Sequence, residues 1–196
     1  MERTNSFLET ISKEDIETLP VKHFEGTITV IDSEQHLNGI VDELKQAEVI
    51  GFDTETRPSF KKGRRNNVAL LQLATDTNAY LFRINKMGLP LGIAEILQDP
   101  SVYKVGVAIS DDIKGLQRYK RFNPGGFIEL QQYVNAFNII DNGLRKLVAN
   151  ILKFRISKSQ QTSNWENPML TEQQCIYAAT DAWVCYQIYQ ELQNHI

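Results

Sequence analysis

The chain has 196 residues, 42% of them apolar and 23% charged, and a formal net charge of −3. That length suits one well-buried domain rather than two of ordinary size, and the composition excludes a disordered, collagen-like or coiled-coil chain. A slightly acidic chain does not coat nucleic acid by charge alone, although an enzyme that gathers carboxylates around a metal can act on nucleic acid and still be acidic overall.

No run reaches the ~18 to 20 apolar residues of a membrane helix. The polar start, Met1 to Ser6, leads into no apolar signal core. Neither a membrane anchor nor secretion is expected. Cys175 and Cys185 are too few for a disulfide framework or a four-cysteine zinc site. On one helix they would stand ~15 Å apart by helical rise, too far to bridge. A reducing, cytoplasmic location is the expectation.

Residues 1–25 read as an N-terminal arm and 26–196 as a single domain. In the arm, Ser12-Lys13-Glu14-Asp15 ahead of Ile16 gives a short capped helix that ends by Pro20. The β-branched run 27–31 reads as a strand. Ser33 reads as the N-cap of a helix in which Leu37, Ile40, Val41, Leu44 and Ala47 recur at helical spacing. A buried strand follows over 48–56, where Val49-Ile50-Gly51-Phe52 runs into a charged end. Strands at 68–74 and 79–84 flank a polar turn and should be antiparallel. A helix at 91–97, a strand at 103–109 and a helix at 110–119 come next, with a short strand over 126–129 as an option. Helices at 131–137, 143–152 and 172–193 close the chain. The order gives an α/β domain with a mixed sheet covered by helices on both faces.

Three acidic features stand out. In Gly51-Phe52-Asp53-Thr54-Glu55-Thr56, strand alternation puts Asp53 and Glu55 on one face, ~6 to 7 Å apart along the chain. Two like charges at the end of a buried strand are costly unless a cation or solvent compensates. Hard divalent cations take such oxygen ligands; taken alone, the pair is also readable as solvated residues at a strand end. In the last helix, Asp181 lies one turn after Tyr177 on a helix apolar around most of its circumference, so it needs a partner: an Arg, a hydrogen-bond network or a metal. Thr171 and Gln174 form a capping box for this helix. Asp111 and Asp112 open the helix after the strand 103–109, where acids complement the helix dipole or, at Asp112, ligate a metal.

In combination these residues resemble a known family. Asp53-Thr54-Glu55, Asp112 to Leu116, and Tyr177 to Asp181 resemble the three motifs of the DEDD 3′–5′ exonucleases. Tyr177, four residues before the last Asp, resembles the DEDDy subclass; the position that carries a His in the other subclass is Ile176 here. Val68 to Leu73, Tyr80-Leu81-Phe82, Gly106 to Ile109 and Ser163-Asn164-Trp165 through Ala182 extend the likeness to exonuclease domains of the ribonuclease D and Werner type, over roughly 26–194. The C-terminal helical domains of ribonuclease D and the Werner helicase have no counterpart within the sequence.

The resemblance implies a ribonuclease H-like fold, a five-stranded mixed sheet flanked by helices. It implies phosphodiester hydrolysis from the 3′ end of DNA or RNA, releasing nucleoside 5′-monophosphates. Asp53, Glu55, Asp112 and Asp181 would hold two Mg²⁺ or Mn²⁺ ions ~3.5 to 4 Å apart, with Asp53 bridging them. Tyr177 would orient the attacking water, its phenol being too weakly acidic to serve as a strong base at neutral pH. A silent nucleic-acid-binding or adaptor module of the same fold is the alternative, against which the complete acid set argues.

Two basic clusters lie near the motifs. Lys61, Lys62, Arg64 and Arg65 follow the first and read either as a solvated surface or as phosphate contacts. Lys114, Arg118, Lys120 and Arg121 follow the second. Trp165 reads as core or as a base-stacking platform. The three histidines, His23, His36 and His195, form no metal spacing and receive no role. Protein partners are not legible.

Overall fold

The computed structural model describes residues 7–37, 39–58 and 66–196. Its six strands are β1 (Thr27–Ile31), β2 (Val49–Thr56), β3 (Val68–Ala74), β4 (Asn78–Phe82), β5 (Tyr103–Gly106) and β6 (Phe127–Glu129). They form one sheet in the order β1-β4-β3-β2-β5-β6. β2, β3 and β4 form an antiparallel meander, while β1 joins β4, and β5 and β6 join β2, in parallel. The short strand at 126–129 is thus real, and the sheet has six strands rather than five.

Alternation along the strands sorts the core onto the two faces. Ile50 and Phe52 of β2 join Leu71 and Leu73 of β3 and Tyr80 and Phe82 of β4 on one face. There they meet α2 (Ile40–Gln46), α4 (Leu91–Gln98) and α5 (Ser110–Gln117). On the other face Leu70, Ala74, Ala79 and Leu81 pack on Ala178, Ala179 and Ala182 of α8 (Glu172–Gln193). Small alanines let this long helix lie close on the sheet. Beyond it, α6 (Leu130–Tyr133) and α7 (Leu144–Leu147) complete the layer with Val184, Cys185 and Ile188. α3 (Ile84–Met87) is a single turn after β4.

Most expected elements stand, and each difference has a physical cause. Ser33 caps only a 3₁₀ turn, Glu34–His36; Gly39, at φ +83°, breaks the periodic run, and α2 starts at Ile40. The strand expected to reach residue 109 stops at Gly106. Glu129 at the end of β6 accepts the N–H groups of Ala108 and Ile109, both at 2.9 Å, and Ala108 turns into the left-handed region at φ 59°. The helix expected over 143–152 ends in a π-helical turn, Val148–Leu152.

The arm carries α1 (Lys13–Thr18), capped by Ser12 as expected. It then runs beside residue 155, with Lys22 N–H donating to the Arg155 carbonyl at 3.0 Å and Arg155 N–H to Pro20 at 2.9 Å. Phe24 anchors its end: its N–H donates to Thr180 Oγ1 at 3.0 Å and its ring lies 5.9 Å from that of Trp183.

Candidate active site

The first two acids are set by β2. Its parity places Gly51, Asp53 and Glu55 on the face toward α8, and the absence of a side chain at Gly51 lets α8 cross there. The third comes from α8, whose register is fixed by the capping box between Thr171 and Gln174. Asp53, Glu55 and Asp181 each bring one carboxylate oxygen within 4.8 Å of the others. Asp181 is buried; Asp53 and Glu55 are half-buried.

Asp112 stands at the edge of this trio rather than in it. α5 presents it to β2, where Thr54 Oγ1 donates to its carboxylate. Its charge still reaches Asp53 and Glu55. Asp111 points to solvent and pairs with Lys114 at 3.5 Å.

These groups cannot all be charged as they stand. Burial first, then Asp181 and Asp112, hold Asp53 well above the usual carboxylate range. Burial, then Asp53, Asp181 and Asp112, push Glu55 up to about 10. Burial also raises Asp181, to about 7, against the Tyr177 hydroxyl and Arg145, which draw it down. Asp112 is raised mainly by burial, with the Thr54 bond opposing. A buried set of oxygen donors whose charges repel one another is the donor chemistry a hard divalent cation fits.

Tyr177 donates its hydroxyl to Asp181, and burial is the main cause that keeps the phenol protonated. Behind it Trp165, fully buried, packs at 6.0 Å between ring centroids. Trp165 is therefore core and offers no face to a base. The loop before α8 is tied down by buried Arg83, which donates to the carbonyls of Asn167 and Pro168.

Three neighbours escaped the sequence reading. Thr54 sits inside the D-x-E triplet but acts on α5, through its bond to Asp112. Gln72 faces Asp53 in the β2–β3 register, its amide buried and unpartnered among the described residues. Arg145 of α7 donates from Nη2 to the Ile156 carbonyl at 2.8 Å, and its charge bears on Tyr177 and Asp181. No local signal marks them, because each owes its place to a contact distant in sequence. Lys61, Lys62, Arg64 and Arg65 lie outside the described residues, in the stretch between β2 and β3. Lys114, Arg118 and Arg121 are exposed and Lys120 is half-exposed, all near or beyond the C-terminal part of α5.

A mixed sheet between helical layers, with carboxylates gathered from an interior strand and a crossing helix, defines the ribonuclease H-like class of nucleases. Solved structures agree. The chain superposes on the Aedes aegypti Nibbler EXO domain with a TM-score of 0.78 and 25% identity, covering 89% of this chain and 92% of that one. For Escherichia coli RNase D the TM-score is 0.75 at 24% identity, over 86% of this chain and 45% of that one, a likeness of fold. A 3′-5′ exonuclease family model matches residues 28–196, and the chain belongs to that family.

Among curated relatives, the Bifunctional 3′-5′ exonuclease/ATP-dependent helicase WRN of Mus musculus is 36% identical over 91% of this chain. A Putative 3′-5′ exonuclease of Acanthamoeba polyphaga mimivirus is 34% identical over 80%. The alignments span 13% of the mouse protein and 42% of the viral one. Among the described residues no helix is long and apolar enough to cross a membrane.

Proposed function

We propose that the chain is a DEDDy-type 3′–5′ exonuclease that hydrolyses phosphodiester bonds from the 3′ end of DNA or RNA and releases nucleoside 5′-monophosphates. The observation that carries this reading is the meeting of Asp53, Glu55 and Asp181, with Tyr177 bonded to the last of them. Asp53, Glu55 and Asp181 would hold a divalent ion, with Asp112 reaching a second from the α5 side. Mg²⁺ or Mn²⁺, two per site, would supply charge neutralisation at the phosphoryl oxygens and acidify a bound water.

The chain's own groups do the rest. Tyr177 stays protonated at neutral pH, so it orients the attacking water by hydrogen bonding rather than taking its proton. Thr54 holds Asp112, and Trp165 holds the Tyr177 ring. Lys61, Lys62, Arg64 and Arg65 would contact backbone phosphates. The setting we propose is reducing and cytoplasmic. A structure of Trypanosoma brucei RNase D, alike in fold at a TM-score of 0.74 and 19% identity, is a complex with RNA U12.

The test is digestion of 5′-labelled single-stranded, duplex and 3′-overhang DNA and RNA with Mg²⁺, Mn²⁺ or EDTA. The expected result is a ladder shortening from the 3′ end, nucleoside 5′-monophosphates as product, and no reaction in EDTA. Binding without hydrolysis under every divalent condition would identify the silent module instead.

A further inference from the structure

Gln72 lies in the middle of β3 and is 1% exposed, and neither its Nε2 nor its Oε1 has a hydrogen-bond partner among the described residues. Other buried polar side chains are paired. Asn150 bonds both the N–H and the carbonyl of Leu8, Gln174 closes its capping box, and Lys104 donates to the carbonyls of Ile96, Asp99 and Val102. An unpaired buried amide carries the full desolvation cost of its polar atoms, which an apolar side chain of the same shape would avoid.

The register of the sheet says what the amide faces. Gln72 stands opposite Asp53 on β2 and opposite Leu81 on β4. Side chains directly opposite one another on antiparallel strands share a face, with their β carbons ~4.5 to 5.5 Å apart. Along its own strand Gln72 lies between Leu70 and Ala74, and these two, like Leu81, pack beneath α8. Of the neighbours that strand and register give it on this face, Asp53 is the polar one.

Asp53 can take a further donor. Its Oδ1 accepts the Thr54 N–H at 2.8 Å. A carboxylate offers about four acceptor sites, so it can ligate a cation and still accept hydrogen bonds from the protein. Such bonds fix the orientation of a ligating group and favour its ionised form. We propose that Gln72 is a positioning residue for the metal centre, its Nε2 donating to the Asp53 carboxylate and holding it in the ligating orientation. The proposal rests on the metal-dependent reading above and adds a residue outside the four acids and Tyr177.

The test uses Gln72→Met, which removes the amide and keeps the length of the side chain, with Leu81→Met as a control for altered packing on the same face. Mn²⁺ alone is titrated by calorimetry into metal-free protein, and the melting temperature is read in EDTA. Gln72→Met should bind Mn²⁺ about 10- to 100-fold more weakly than wild type. It should melt at or above the wild-type temperature, because an unpaired buried amide is gone. Leu81→Met should bind Mn²⁺ as wild type does. A residue that only fills the sheet would move the melt and leave the Mn²⁺ affinity alone, so an unchanged affinity in folded Gln72→Met overturns the proposal. If Gln72→Met melts early, Gln72→Asn, whose amide stands one methylene back from Asp53, must show the weaker Mn²⁺ binding or the proposal fails. If wild type binds Mn²⁺ and hydrolyses nothing, the exonuclease reading fails while the titration still decides the role of Gln72. Wild type that binds no Mn²⁺ overturns both.

Discussion

The carbonyl oxygen of Ala182 lies 1.9 Å from where a β carbon on Gly51 would be. α8 therefore rests its backbone directly on β2, one residue from Asp181 on the helix and two from Asp53 on the strand. Glycine at this point lets an acid from the end of the chain meet two from an early strand. Gly51→Ala should push α8 outward at a cost of about 1 to 3 kcal/mol. Because the displacement falls on the site, activity should drop by about 10²-fold, more than the stability loss alone would give. A thermal melt and a turnover measurement on the same preparation check both; a stable variant with full activity would show that the close approach is not needed.

Tyr177→Phe separates an orienting hydroxyl from a packing ring. Phe keeps the contact with Trp165 and loses only the hydroxyl bonded to Asp181. Turnover should fall by a factor of ~10² with little change in substrate affinity, as expected for a hydrogen bond that matters in the transition state. Single-turnover hydrolysis at saturating Mg²⁺ is the measurement. A wild-type rate in a normally folded variant removes Tyr177 from the catalytic residues and leaves the carboxylates in place.

The stacked carboxylates also predict how metal-free protein responds to pH. Glu55 and Asp181 are raised to about 10 and about 7 in the folded chain, and Asp53 lies well above its usual range. Unfolded, all three lose their protons near pH 4. From about pH 4 to about pH 7 and beyond, the folded state therefore binds more protons than the unfolded one, and stability falls as pH rises. In EDTA the melting temperature should be higher at about pH 5.5 than at about pH 8, since the proton-linked stability is lost across that window. Mg²⁺ should raise it more at the higher pH, because metal and protons compete for the same oxygens. Parallel pH profiles with and without metal would contradict the assignment.

Neutralising Lys61, Lys62, Arg64 and Arg65 tests whether the segment after β2 touches phosphates. Each lost contact should reduce the slope of log K against log salt by about 0.7 to 0.9, depending on strandedness. A salt titration of oligonucleotide binding reads this directly, and an unchanged slope would make the segment a solvated surface.

What was legible in the sequence is what local chemistry writes. The apolar run into Asp53 and Glu55 has strand parity, the Thr171–Gln174 box announces α8, and apolar residues around most of the circumference of α8 announce its burial. The sixth strand is only Phe127–Glu129, too short for periodicity to fix. β5 ends early because Glu129, far along the chain, takes the N–H groups of Ala108 and Ile109. Thr54, Gln72 and Arg145 carry no pattern of their own; each becomes part of the site through a partner brought close by the fold.

The central claim is that the carboxylate cluster is a metal-dependent hydrolytic centre, and Asp53→Asn addresses it most directly. The amide keeps the shape of the side chain and removes the charge that the other acids repel. On the oligonucleotide wild type degrades best, 5′-labelled and followed with saturating Mg²⁺, wild type should yield a 3′-to-5′ ladder. Asp53→Asn should yield none, while its metal-free melting temperature equals or exceeds that of wild type, because the amide is neutral without the proton uptake that burial and the neighbouring acids force on Asp53. A ladder from Asp53→Asn at the wild-type rate would contradict the account.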